Sequence, residues 1–419
     1  MNQMDRILMS SSVTPPRIVL VLQGGGALGA YQAGVYQALD EAGLRPEWVI
    51  GTSIGAINAA LIAGNLPESR VQKLREFWRA VEYGFAPSLA ASIPLFGAQF
   101  ANWLTMANGV TGFFTPNALA FASDIWPLGT ENAGYYRTDP LKQTLSELVN
   151  FNLVEDGGCR LTIGAANVRT ADMRYFDSRD QHVDVRHVMA SAALPPAFPP
   201  VLIDGELYWD GGILSNTPVE AVFDDYPRRG ALVFAVHIWN PSGPDPETIA
   251  DVMHRQKDLM YSSRAHSHIT RQQQIHRMRH IIAELAARLP SSERAKPEID
   301  DMAGYGCLTR MHVVRLLAPA LEGESHTKDI DFSAHGIRTR WEAGLENTRA
   351  VIARAPWSDP VDPLEGFVLH EAHAGTITVD ASKVDANAPS TVDWNEAAAA
   401  GYTGKRGTAD ISRLLGHHG

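Results

Sequence analysis

Two hydrophobic rhythms run along this chain. The run RIVLVL, Arg17 to Leu22, is apolar without interruption after its first residue, as a strand covered on both faces would be. QGGGALG then reads as a glycine loop, and AYQAGVYQALDEAG carries Ala and Leu at helical spacing. EWVIG predicts a second buried strand, followed by GTSIG and the helix-forming INAALIA. Strands alternating with helices through short glycine-containing loops predict a mainly parallel sheet, and right-handed crossovers make it a three-layer α/β/α sandwich.

Ser69 to Ala80 predicts a polar helix, whereas Tyr83 to Tyr136 is rich in Phe, Trp, Pro and Gly with no clear period. That apolar insertion reads as a lid or wall of a substrate site, or equally as an excursion of the core. RLTIGAANVRT and DMRYFDS predict paired strands, and ALVFAVHIW another buried one. Between them, prolines bracket a short hairpin-like strand ending in LYWDGG. From Pro244 to about Leu289 a run rich in Arg and His predicts one long helix or a helical hairpin packed on the sandwich. MHVVRLLAP reads as the last strand, and an amphipathic helix follows the cap residue Ser333. The expected division is a disordered segment 1–16, a core 17–240 with its insertion at about 83–136, a helical extension with a closing strand and helix at 244–355, and a partly loosely ordered C-terminal extension 356–419.

The 419 residues include 36 Lys and Arg against 47 Asp and Glu, a formal charge of −11. That balance opposes non-specific binding of nucleic acid or an anionic bilayer by the molecule as a whole, so no nucleic-acid partner is expected. Cys159 and Cys307 have neither metal-ligand nor redox-motif spacing, which fits a reducing compartment. The opening MNQMDRILMSSSVTPP lacks an apolar run of signal-peptide length, and no later run nears the roughly 18 apolar residues of a membrane span. A cytoplasmic location is expected, with peripheral contact at the inner membrane face left open and the oligomeric state unspecified. His266, His268, His276 and His280 lie in the long helical run. Without a His-Glu-x-x-His pattern, the i, i+4 pair His276 and His280 is expected to be solvated and no metal is expected. A basic stripe touching lipid phosphates is the other use of that run.

Candidate chemistry begins at GTSIG. Strand, Gly-x-Ser-x-Gly and helix form the context of a nucleophile elbow, in which Gly51 and Gly55 leave room for a strained turn at Ser53. An ordinary serine in a tight turn has the same five-residue pattern. The glycine loop also has two readings. Gly24-x-Gly26-x-x-Gly29 after a strand matches the dinucleotide-binding fingerprint, and so a nucleotide-dependent oxidoreductase. That use needs an acidic residue near the end of the second strand, where Gly51, Thr52 and Ser53 stand instead; Asp40 and Glu41 come too early. The other use directs backbone N–H groups at a developing oxyanion. For a base that activates Ser53, the candidates are His237, at the end of a buried strand, and Asp210, whose carboxylate precedes two glycines.

GGGALG, GTSIG and DGG in this order resemble the patatin-like phospholipase family over Arg17 to about Trp239. ASAALPPAFPPVLIDGELYWDGGILSNTP is similar to the family's stretch around its catalytic aspartate, down to Asn216 and Pro218. The segment from Pro244 to Leu289 and the tail after Pro356 look like an extension found in a bacterial branch. The resemblance implies that Ser53 is the nucleophile and Asp210 its general base, in a dyad without histidine. It also implies an oxyanion hole in the loop of Gly24, Gly25, Gly26, Ala27 and Gly29, chiefly the amides of Gly25, Gly26 and Ala27. Gly51, Gly55, Gly211 and Gly212 would support these turns. The implied activity is hydrolysis of lipid carboxylic esters with no metal or organic cofactor. Leu28 stands where many members carry Arg or Lys, which makes neutral esters rivals to phospholipids. FGAQFANWLTMANGVTGFF is the candidate acyl-binding wall. The alternatives are a non-enzymatic patatin-fold module binding lipid or protein and the dinucleotide-binding oxidoreductase.

Overall fold

A computed structural model describes residues 17–82, 109–110, 112–122, 125–321, 324, 326–362, 365–373, 376–379 and 391–393. The expectations for 1–16, for residues 83–108 of the insertion and for most of the tail fall outside the described residues.

In chain order the strands are β1 (Arg17–Leu22), β2 (Trp48–Thr52), β3 (Thr115–Pro116), β4 (Tyr136–Arg137), β5 (Arg160–Asn167), β6 (Met173–Asp177), β7 (Val201–Ile203), β8 (Glu206–Asp210), β9 (Ala231–His237), β10 (Met311–Leu317), β11 (Phe367–His373), β12 (Thr376–Val379) and β13 (Thr391–Asp393). The longer helices are α1 (Ala30–Glu41), α2 (Ile54–Ala63), α3 (Arg70–Ala80), α4 (Asp139–Leu148), α5 (Val185–Ser191), α6 (Ile249–Arg288) and α7 (Ala334–Arg354). An 11-stranded sheet runs in the order β13-β12-β11-β10-β9-β1-β2-β5-β8-β7, with β6 also paired to β5. From β11 through β5 the pairs are parallel, and the strands beyond them on both sides are antiparallel.

Alternate residues of β1 feed two cores. Ile18, Leu20 and Leu22 join the cluster that includes Tyr31 of α1, Ile57 of α2 and Ile337 of α7. Val19 and Val21 join the opposite cluster, with Ile269 of α6 and Phe367 of β11. Burying a strand on both faces is what its unbroken apolar run requires, and the result is the expected α/β/α layering. Helices α1 and α7 cross backbone to backbone. A Cβ at Gly34 would collide with the Trp341 carbonyl oxygen, and one at Gly344 with that of Tyr31. Gly34→Ala is therefore expected to lower stability by about 1–3 kcal/mol through overpacking, read as a lower urea midpoint at unchanged slope.

Two expectations are corrected. The strand Met311–Leu317 is not the last, because Phe367–His373 pairs with it in parallel and carries the sheet onward. Phe367 and Leu369 fill the core there, and the Pro, Ala and Gly content of the tail conceals their alternation. His276 and His280 are not solvated: they are 0 % and 2 % exposed. Helix α6, a single helix of 40 residues, lies along the sheet despite its charge. The His276 ring meets Phe367 with centroids 6.0 Å apart, and the His280 ring lies against Gly366. Burial holds His276 neutral, with its pKa pushed down to about 4. Among the described residues no group of three or more His, Cys, Asp and Glu side chains is placed to hold a metal ion, and no helix is long and apolar enough to cross a membrane.

Candidate active site

Because β1 and β2 run parallel and side by side, the loops leaving their carboxyl ends meet at one sheet edge. After β2, Ser53 makes the turn into α2 with φ 58° and ψ −128°. A left-handed φ at serine is strained and persists only where its surroundings hold it. Here the Ser53 carbonyl accepts from the N–H groups of Ala56 at 2.9 Å and Ile57 at 3.2 Å. Its own N–H donates to Ser191 Oγ at 3.0 Å, and the Ser191 hydroxyl donates to the Gly164 carbonyl at 2.6 Å. A Cβ at Gly51 would strike the backbone of Gly55, and one at Gly55 the Leu22 carbonyl. The turn thus depends on both glycines. The Ser53 hydroxyl makes no capping bond to its helix.

It faces Asp210 instead. Asp210 ends β8, opposite Ala165 of β5, and is 2 % exposed. Its backbone N–H donates to the Ala193 carbonyl at 2.9 Å, and its Oδ1 accepts from the Gly212 N–H at 2.7 Å. Gly211 lets this turn close, since a Cβ there would lie 2.6 Å from the Gly164 carbonyl oxygen. Burial pushes the Asp210 pKa up to about 7, against hydrogen bonds from the Ser53 side chain and the Gly212 amide that favour the charged form. A carboxylate so tuned changes protonation near neutrality beside an alcohol, the pairing that proton abstraction requires.

The glycine loop is pinned from behind. Gln23 Oε1 accepts from the N–H groups of Ile238 at 2.6 Å and Trp239 at 3.0 Å, while its Nε2 donates to Thr217 Oγ1 at 2.7 Å and to the Tyr261 carbonyl at 3.1 Å. The Gly24 carbonyl accepts from Asn216 Nδ2 at 3.0 Å and Trp239 Nε1 at 2.7 Å. The Gly24 N–H itself donates to the Asn216 carbonyl at 3.1 Å, so it is not an open donor, contrary to its inclusion in the expected set. Gly25 and Gly26 line the cavity that holds Ser53 and Asp210, and their amides find no acceptor among the described residues. Gly26 has φ +54°, and a Cβ there would collide with the Asp329 carbonyl oxygen. Ala27 and Gly29 stand behind the cavity: Ala27 is 0 % exposed, and a Cβ at Gly29 would fall 2.6 Å from the Ile54 side chain. Leu28 lines a separate cavity of about 110 Å³.

The cavity around Ser53 encloses about 240 Å³. One wall is aromatic, with Phe113 and Phe332 centroids 5.8 Å apart and Phe114 and Phe198 5.5 Å apart. Phe113 and Phe114 come from the expected acyl-binding stretch, whose residues 96–108 and 111 fall outside the described ones. The cavity's polar lining comes from Asp210, Asn216, Tyr261 and Asp329. His237 does not line this space. It is 1 % exposed, both ring nitrogens lack hydrogen-bond partners among the described residues, and burial, reinforced by Arg315, drives its pKa well below the usual value.

Residues 20–223 match a family model described as patatin-like phospholipase, and residues 259–364 match a second described as patatin phospholipase. The chain belongs to the patatin-like phospholipase family. Among its relatives is patatin-like phospholipase domain-containing protein 6 of Mus musculus, 31% identical over 244 residues, which cover 57% of this chain and 15% of that protein. Lysophospholipase nte1 of Aspergillus terreus is 26% identical over 260 residues, 56% of this chain and 14% of that protein. YqhO of Bacillus subtilis, an uncharacterised protein, is 27% identical over 215 residues, 48% of this chain and 64% of that protein. The chain therefore matches only a small part of the length of the two eukaryotic relatives. In this member of the family the second matched segment reaches the cavity as well, through Tyr261, Asp329 and Phe332.

Proposed function

We propose that the chain is a serine acyl hydrolase of lipid carboxylic esters. The observation that carries this reading is Ser53, held at φ 58° against a buried carboxylate of pKa about 7. Ser53 Oγ attacks the acyl carbonyl while Asp210 takes its proton. The amides of Gly25 and Gly26 meet the oxyanion of the tetrahedral intermediate, a kind of donor whose removal typically costs about 3–4 kcal/mol of transition-state stabilisation. The proton on Asp210 passes to the departing alcohol, and water, deprotonated in turn by Asp210, releases the fatty acid from Ser53. The aromatic wall takes the acyl chain. The cavity is lined by carboxylates and by no Lys or Arg among the described residues, which favours an uncharged group over an anionic one beside the reacting carbon.

The discriminating assay sets p-nitrophenyl esters of increasing acyl length beside vesicles of phosphatidylcholine and phosphatidylglycerol. Turnover is expected to rise with acyl length and to be faster on phosphatidylcholine; absence of turnover on every ester would defeat the reading. The pH dependence has a definite sign. Asp210 accepts a proton only when ionised, and burial raises its pKa to about 7. Thus kcat/KM is expected to climb about tenfold per pH unit below that value and level off above it. A profile flat between pH 5 and 8 would exclude Asp210 as the base.

A further inference from the structure

Building on that reading, we infer that Tyr261 is a further catalytic residue, whose hydroxyl donates a hydrogen bond to the leaving-group oxygen as the ester C–O bond breaks. The placement is unusual because Tyr261 belongs to α6, far along the chain from the serine and aspartate motifs. Its backbone carbonyl accepts from Gln23 Nε2 at 3.1 Å and Asn216 Nδ2 at 3.2 Å. Its ring lies on Trp239 with centroids 4.9 Å apart and planes tilted 31°, and the Trp239 Nε1 in turn holds the Gly24 carbonyl at 2.7 Å. The same residues that pin the glycine loop therefore fix this tyrosine in the lining of the cavity.

Tyr136 also lines the cavity, but its ring belongs to the aromatic wall, against Phe114 and Phe198; elimination among the other side-chain donors leads to the same residue. Asn216 Nδ2 is committed to the Gly24 and Tyr261 carbonyls, and Trp239 Nε1 to the Gly24 carbonyl. The Ser53 hydroxyl is turned to Asp210. Tyr261 lines the cavity, and its hydroxyl has no hydrogen-bond partner among the described residues. Burial, and then the charges of Asp210 and Asp329, raise its pKa above the usual tyrosine value, so the phenol keeps its proton and acts as a donor.

The electron and proton balance of the step is closed. Collapse of the tetrahedral intermediate re-forms the carbonyl and sends the C–O bonding pair to the leaving oxygen. That oxygen receives the proton which Asp210 took from Ser53. Tyr261 gives up no proton; its O–H bonds to the oxygen while negative charge builds there. A hydrogen bond to a charged acceptor is worth about 1.5–3 kcal/mol. The contribution is largest when the alcohol is a poor leaving group and small when it departs as a stable anion.

Tyr261→Phe keeps the ring on Trp239 and removes only the hydroxyl. The test compares kcat/KM of this variant and the parent protein on two esters with one acyl chain, an alkyl ester and a p-nitrophenyl ester. The loss on the alkyl ester is expected to exceed the loss on the p-nitrophenyl ester by about 10- to 100-fold, carried by kcat. A plot of rate against leaving-group basicity is expected to steepen in the variant. Equal losses on both esters mean that the hydroxyl merely holds the site together and overturn the inference, as does no loss on either. Failure of the underlying reading looks different: the parent protein would then hydrolyse neither ester, or Ser53→Ala would retain activity on both.

Discussion

Replacing Ser53 by alanine is expected to cut ester turnover by at least about 10⁴-fold while leaving a folded protein. The chemistry needs an oxygen nucleophile on a side chain, and alanine supplies none. The fold, by contrast, loses little, because the hydroxyl caps no helix and the serine amide, carbonyl and φ are retained by the backbone bonds around it. The measurement is kcat on a p-nitrophenyl ester beside the circular dichroism melting curve. An alanine variant with parental turnover would remove Ser53 from the mechanism. Replacing His237 by Asn is expected to leave turnover within a few-fold, since this histidine stands outside the cavity.

Asp210→Asn is expected to move activity and stability in opposite directions. Activity should fall by about 10³- to 10⁴-fold, because a neutral amide cannot take the serine proton. Stability should rise. The carboxyl has a pKa of about 7 in the folded chain against an ordinary 3.8, so the native state binds this proton more tightly than the unfolded one. Native stability from this group is therefore full below about pH 4 and is lost as pH rises toward 7. The interval corresponds to roughly 4 kcal/mol, an upper limit to what the asparagine recovers at pH 8. Parent and variant should converge below about pH 4. Urea midpoints at pH 4 and pH 8 test this. An asparagine variant no more stable than the parent at pH 8 would mean that Asp210 is not held charged at a cost to folding.

How far the sequence foretold the molecule depended on the distance over which each signal acts. Ser53, Gly51 and Gly55 are legible because strand, turn and helix are consecutive, and Asp210 because two glycines follow it. The order of β1, α1, β2 and α2 follows from periodicity alone. The residues that complete the site carry no local mark. Ser191 orients the Ser53 amide from a different helix, and Asp329 approaches Gly26 from a short turn ahead of α7. Tyr261 is one aromatic among many charges, and only packing against residues distant in sequence, such as Phe367 on β11, decides which side of α6 is covered. For the same reason His276 and His280 look solvated in a charged run yet lie against β11. Gln23 was the one missed residue with a neighbouring clue: a polar side chain between an apolar strand and a glycine loop needs partners once it is 0 % exposed.

The tie between Gln23, Asn216 and the Tyr261 carbonyl bears on how the gene can be divided. A fragment stopped after the first matched segment would strip two enclosed amide side chains of a shared acceptor. Its glycine loop would then lose those two ties even where the sheet still forms. The two segments matched by separate family models are therefore expected to unfold in one cooperative transition rather than two.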